Sequence, residues 1–263
     1  MGEAGLLLFS AVAFCLIMAV AWQMQRITGN DGWADVFWSY GVGVTGIGVV
    51  LMSPGASPSR RWLIATMLAA WSLRLGTHIL LRTLKSHDDP RYADLRKEWG
   101  DHAPWRMFLF LQSQAVAGWV LVSCIYIAVS RQGEELDIFD HAGAFIMVIA
   151  IAGEAIADRQ LRDFARNNAN RGKVCDVGLW RWSRHPNYFF EWLGWVSYAV
   201  VAVGSLLPYG WLALAAPTIM YILLRHVSGV PPLEKHMLRS RGEAFREYQR
   251  RTSIFFPVPP SAY

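Results

Sequence analysis

Residues 5–24 read GLLLFSAVAFCLIMAVAWQM, twenty positions without one charged side chain. At 1.5 Å of helical rise per residue the stretch covers about 30 Å, the thickness of the hydrocarbon core of a bilayer. The preceding Met1-Gly2-Glu3 carries no positive charge, so the segment reads as a membrane helix and not as a signal peptide. Working outward, six further apolar stretches stand at about 33–52, 62–81, 107–129, 142–157, 188–207 and 209–226, each long enough to cross or nearly cross the same layer. The expected fold is therefore all-α: a polytopic membrane protein of about seven transmembrane helices. No repeat, low-complexity tract or linker divides it, and residues 1–263 read as one integral membrane domain.

Composition points the same way. Hydrophobic residues make up 54% and charged ones 17%, against about 25% charged in a soluble domain. The mean hydropathy is +0.24. This composition argues against a soluble domain, and a disordered chain, a collagen, a coiled coil and a disulfide scaffold are all excluded. Cys15, Cys124 and Cys175 are odd in number and far apart, which suggests buried thiols and no metal site. Lys and Arg are distributed unevenly among the expected loops: Arg60, Arg61 and Arg131 fall on one side and twenty-one others on the opposite side. Cytoplasmic loops carry such an excess, so the amino terminus should lie outside and the carboxyl terminus in the cytoplasm. The net charge of +5 is then explained by cationic loops facing an anionic leaflet, and nucleic acid is not an expected partner. The expected partners are the bilayer itself and a lipophilic small molecule; the oligomeric state stays open.

Several charges fall in the membrane helices: Asp35 near the start of the second, Arg74 and His78 in the third, Glu154 and Asp158 in the fifth and Glu191 in the sixth. A charge at mid-bilayer costs about 2.5–3.5 kcal/mol even on a lenient scale, so these should face a shared interior. Arg74, His78 and Arg82 recur every fourth residue, as do Glu154, Asp158 and Arg162, so each trio forms one helical stripe. Asn187 and Glu191 stack likewise. Such stripes serve either a functional site or structural ion pairs between helices.

The segment Asp158-Arg159-Gln160-Leu161-Arg162-Asp163-Phe164 is followed by Gly178-Leu179-Trp180-Arg181-Trp182-Ser183-Arg184-His185-Pro186-Asn187-Tyr188-Phe189-Phe190-Glu191. Later come Pro232-Leu233-Glu234-Lys235, then Arg246-Glu247-Tyr248-Gln249-Arg250-Arg251-Thr252-Ser253 and Phe256-Pro257. In this order the motifs resemble the steroid 5α-reductase family, and within it a bacterial branch of uncharacterised multi-pass proteins. The resemblance is strong over about 140–260 and weak before. It implies a seven-helix enzyme, in a bacterial inner membrane, that uses NADPH to reduce a carbon–carbon double bond conjugated to a carbonyl in a steroid-like or other lipophilic substrate.

By that resemblance the cofactor half spans about 140–260. Asp158, Arg162, Asn187 and Tyr188 match cofactor contacts, and Glu191 matches the carboxylate of an Asn-Tyr-x-x-Glu motif. Arg162, Arg166, Arg171, Lys173, Arg181 and Arg184 offer cations for phosphates, and His185 sits in the same motif. Glu154 and Asp158 suit ribose hydroxyls or a carboxamide. No Gly-x-Gly-x-x-Gly occurs, so a Rossmann site is not expected. In the first half, relatives hold the substrate carbonyl with a Gln-Glu pair and a Tyr. The nearest matches here are Asp35 and His78, taken as the catalytic pair, with Tyr40 or Tyr92 as further sources of a phenol. The Asp88-Asp89-Pro90-Arg91-Tyr92 stretch is read as either a turn or a cover over the cofactor, and Arg82 as a loop residue with no role.

Arg184-His185-Pro186-Asn187-Tyr188 fits a second class equally: membrane methyltransferases of the isoprenylcysteine and phospholipid type, which use S-adenosylmethionine. A non-catalytic lipid-binding protein is the third reading. The reductase is preferred because Asp158-x-x-x-Arg162 and Asn187-Tyr188-x-x-Glu191 accompany the shared motif, and because a cofactor with several phosphates explains more cations.

Overall fold

The structure is a computed structural model and describes residues 2–85, 90–203 and 209–260. It is all-helical, with 82% helix and no strand among the described residues. The helices are α1 Glu3–Thr28, α2 Trp33–Met52, α3 Pro58–Thr83, α4 Pro90–Trp99, α5 Ala103–Val129, α6 Ile138–Arg166, α7 Pro186–Val203, α8 Ala215–Ile222, α9 Val230–Arg241 and α10 Glu243–Arg251. Among the described residues six helical segments are long and apolar enough to cross a membrane: α1, α2, α3, Leu95–Val129, α6 and Gly210–Arg241. The chain is an integral membrane protein. The expected count of seven is not reached among the described residues: α7 is 18 residues long, carries Asn187 and Glu191, and is not one of the six.

Two boundaries differ from expectation. The fifth stretch was expected to stop at 157, yet α6 continues to Arg166, because Asp158 and Arg162 extend the Glu154 stripe instead of breaking the helix. The stretch 209–226 is not one helix. A 3₁₀ turn, Gly210–Leu214, leads into α8, and a π turn, Leu223–Val227, follows it. That turn closes on the Leu223 carbonyl, which accepts from the Ser228 and Gly229 N–H groups at 2.8 and 3.2 Å.

The chain forms two compact units, 1–144 with 198–216, and 145–197 with 217–263. Their boundaries fall inside α6, α7 and α8, so no linker marks them in the sequence.

In the first unit α1, α2, α3 and α5 pack together. Glycine lets α2 and α3 approach: a Cβ on Gly43 would meet Ser72 Oγ at 2.1 Å, and one on Gly76 the Tyr40 ring at 2.8 Å. Ser72 Oγ donates to the Ser39 carbonyl at 3.0 Å, and Tyr40 Oη lies 2.9 Å from Thr77 Oγ1. At the start of α3 the fully buried Arg60 donates to both carboxylate oxygens of Asp140, at 2.9 and 3.0 Å. It also donates to the carbonyls of Arg131, Gly133 and Glu135, binding the 131–135 turn. Arg131 reaches Asp140 and Asp137, so two cations meet two carboxylates. Arg60, Arg131 and Asp140 are buried while Asp137 lies at the exposed edge of the network, so the desolvated charges are paired and hydrogen-bonded, the form in which burial is tolerable.

The second unit is built on the 145–166 part of α6. Trp180 Nε1 donates to the Ala157 carbonyl at 2.9 Å, the Leu179 N–H donates to Gln160 Oε1 at 2.9 Å, and the Tyr248 hydroxyl donates to the Trp180 carbonyl. The segment after α10 runs beside residues 182–184, with Arg184 N–H to Ser253 O at 2.8 Å and Val258 N–H to Trp182 O at 3.1 Å. Phe189, Trp192, Tyr221, Phe255 and Phe256 form an aromatic cluster with ring centroids 5.2–6.2 Å apart along the pairs Phe189–Phe255, Trp192–Phe256 and Tyr221–Phe255.

Candidate functional site

The α6–α7 contact in the second unit sets the geometry. A Cβ on Gly153 would lie 2.3 Å from the Phe190 ring, so only glycine admits that ring. Gly194 faces Met147 and Ala150. This antiparallel register brings Glu154 and Glu191 to one level and Asp158 and Asn187 to the next. At the second level Asn187 Nδ2 donates to Asp158 Oδ1 at 3.4 Å, while Asn187 Oδ1 accepts the Tyr188 N–H at 3.1 Å, so the amide is held at both ends. Pro186 opens α7, whose positive helix end faces the Asp158 carboxylate. Trp195 Nε1 donates to Glu191 Oε1 at 3.0 Å. Glu154, Asp158 and Glu191 are all buried, which makes this face a strong site candidate by the rule that intramembrane carboxylates need a reason to be there.

The sequence-predicted phosphate ligands divide into two groups. Arg162 on α6, and Arg171 and Lys173 in the following loop, are exposed. Arg184 is not. Its Nε donates to Glu234 Oε1 at 2.7 Å and its Nη1 to the carbonyls of Gln249 and Thr252 at 3.0 and 2.7 Å. Most of its donors thus hold the tail of the chain. His185 is buried, with its ring stacked on Tyr188 at 5.6 Å between centroids and 9° between planes. Burial pushes its pKa below the ordinary value, against the opposing pull of Glu234. A neutral ring beside a carboxylate carries its proton on Nε2, which donates to Glu234 Oε1 at 3.1 Å. Sequence reasoning did not single out Glu234; the only signal was its place in the Pro232-Leu233-Glu234-Lys235 motif.

In the first unit Asp35 lies in the first turn of α2. Tyr92 Oη donates to Asp35 Oδ1 at 3.0 Å, and Gln114 Nε2 reaches the same phenol at 3.5 Å. Tyr92 is itself buried although it comes from the polar helix α4. Arg82 is not a loop residue: it lies in the last turn of α3 with Nη2 3.9 Å from Asp35 Oδ2. In the turn just before α2, Asp31 Oδ2 meets Arg96 Nη2 at 3.1 Å. The pairings Gly43–Ser72 and Gly32–Thr83 fix the α2–α3 register and put the half-buried His78 within a turn of the Asp35 level. Asp88 and Asp89 of the suggested cover lie outside the described residues. Among the described residues no group of three or more His, Cys, Asp or Glu side chains could hold a metal ion.

A family described as a protein of unknown function, DUF1295, matches residues 21–252, which take in the α6–α7 face, the Arg184 segment and Asp35 alike. The chain belongs to this family. It is a steroid 5α-reductase-like family. An uncharacterized protein of Schizosaccharomyces pombe is 25% identical to the chain over 270 residues, covering 90% of this chain and 76% of the yeast protein. No solved structure matches.

Proposed function

We propose that this protein is a membrane oxidoreductase that uses NADPH to reduce a carbon–carbon double bond conjugated to a carbonyl in a steroid-like or other lipophilic substrate. In this reading it crosses a bacterial inner membrane seven times, α7 included, with its carboxyl terminus in the cytoplasm. The observation that carries the reading is the Asp158–Asn187 pair joining α6 to α7 beside the buried Glu154 and Glu191, with cations beyond it. The donor set fits a dinucleotide. Carboxylates and an oriented amide suit ribose hydroxyls and a carboxamide, whereas exposed Arg162, Arg171 and Lys173 suit phosphate oxygens. Reduced nicotinamide, when bound, supplies the hydride.

The chain's own residues do the rest. Asn187, fixed by Asp158 and the Tyr188 N–H, presents a set orientation to the cofactor, with Tyr188 beside it. His185 and Arg184 hold the segment in shape, and Glu191 is held by Trp195. Reduction at the β-carbon leaves negative charge on the carbonyl oxygen, and Asp35 and His78 are assigned the hydrogen bond or proton that meets it, with the Tyr92 phenol hydrogen-bonded to Asp35. The methyltransferase reading draws on the same buried carboxylates, which would also suit the sulfonium of S-adenosylmethionine.

A thermal-shift panel on detergent-purified protein separates them, since a ligand that binds only the native state stabilises it by about 2.7 kcal/mol at 100 times its Kd. NADPH should raise Tm more than NADH. Asn187→Ala and Arg162→Ala should abolish most of the shift while leaving the unliganded Tm near the parent's. A shift with S-adenosylmethionine and none with NADPH would hand the site to the methyltransferase, and no shift with any of the three supports lipid binding alone.

A further inference from the structure

Glu234, on α9, has both oxygens filled. Oε1 accepts from Arg184 Nε at 2.7 Å and His185 Nε2 at 3.1 Å; Oε2 accepts from Gln249 Nε2 at 2.7 Å and Arg184 Nη2 at 3.4 Å. A carboxylate has about four acceptor positions, so these contacts saturate it. From His185 the contacts continue without a gap. Its ring lies on Tyr188, whose N–H donates to Asn187, whose amide donates to Asp158. Arg184 ties the same carboxylate to the carbonyls of Gln249, in the last turn of α10, and Thr252, just after it.

We propose that Glu234 is a positioning residue for the nicotinamide-nucleotide site, acting through His185 to hold Tyr188 and the Asn187–Asp158 pair. The inference rests on the reading that the Arg184–Glu191 segment holds that cofactor. Only a carboxylate does this. A carboxamide of the same shape offers one oxygen to three donor groups and turns an NH₂ toward the others, leaving buried donors unmatched. The charged groups facing His185 are Glu234 from α9, Arg184 from its own segment and Arg225 from the π turn. Burial and both arginines favour the neutral ring, and Glu234 opposes them. Loss of the Glu234 charge therefore moves the titration of His185 to lower pH.

The test compares the full chain in detergent with Glu234→Gln, Glu234→Asp and, as an exposed control on α10, Glu243→Gln. NADPH is titrated by tryptophan fluorescence, and the His185 ring is followed by NMR in ligand-free protein labelled on histidine, its signal assigned with His185→Gln. Glu234→Gln should weaken NADPH binding about tenfold, the worth of one charge-assisted hydrogen bond, and shift the His185 titration downward. Glu234→Asp should recover part of both, and it carries the comparison if the Gln variant does not fold. Unchanged NADPH affinity overturns the inference. So does weakened affinity with an unmoved His185 titration, which would make Glu234 a fold residue only. Asn187→Ala in the same titration separates the levels: if it binds like the parent, or the parent does not bind NADPH, the cofactor reading fails and this inference with it. If Asn187→Ala loses binding and Glu234→Gln does not, only the role of Glu234 falls.

Discussion

Asp140→Ala should destabilise the protein more than any surface change, and the structure says by how much. The Asp140 carboxylate is fully buried and accepts from Arg60 Nε and Nη2, from Arg131 Nη2, and from the Asp137 N–H at 3.0 Å. Truncation to alanine leaves Arg60, also fully buried, without its carboxylate, while Arg131 keeps Asp137 at 2.7 Å. Removing one member of a buried pair typically costs about 3–5 kcal/mol, because the remaining charge stays desolvated. At about 2–4 °C per kcal/mol for a chain of this size, the apparent Tm should fall by roughly 6–20 °C. Differential scanning fluorimetry at one scan rate measures it, with Glu243→Gln as a comparison. The ion pairs of Glu243 with Arg246 and Arg250 are exposed, so that change should stay within about 0.5 kcal/mol. Arg60→Met combined with Asp140→Ala should cost less than the sum of the two single changes, since it removes both charges together. An Asp140→Ala shift as small as the Glu243→Gln shift would refute the idea that Asp140 compensates buried cations that water does not reach.

Burial pushes the Cys175 thiol up to about 11, so only about one thiol in a few thousand is thiolate at pH 7.5. Maleimide should modify it in unfolded protein and not in native protein, read by peptide mass, and rapid native labelling would contradict the burial. Because the folded pKa of His185 is lowered, its neutral burial contributes stability above the ordinary value of 6.5, and that contribution is lost as pH falls below 6.5 toward the folded value. Chemical denaturation at several pH values should show this loss for the parent and not for His185→Gln. Tyr92→Phe removes the phenol that donates to Asp35, and should cut turnover of an enone lipid at least about 100-fold while NADPH affinity holds. An equal loss of NADPH affinity would separate Tyr92 from the carbonyl role.

Local pattern was legible wherever one helix carried it. The apolar run over 33–52 became α2 with the same bounds, and the Glu154, Asp158, Arg162 stripe lies on one helix as its spacing requires. The apolar stretch ends at about 157 because hydropathy registers the charges that follow, whereas the Glu154 to Arg162 stripe already implies a helix that continues past it, as α6 does. The Asp158–Asn187 contact was accessible from motif pairing, since both residues belong to the same resemblance. What stayed hidden needed tertiary contact. Glu234 meets Arg184 and His185 across 50 and 49 positions of sequence, and no periodicity joins them. Arg82 looked idle because its partner Asp35 sits on another helix.

The hold on Arg184 has a temporal side. Its partners Glu234, Gln249 and Thr252 are translated 50, 65 and 68 residues after it. At about 5–20 residues per second, that is a wait of roughly 3–14 s during which α7 enters the bilayer while the segment just before it still lacks its anchors. A nascent chain stalled in that interval would have the motif in hand and no shaped site. Ligand binding by this segment should therefore mature in one late step of biogenesis, when α9, α10 and the residues beyond them have left the ribosome.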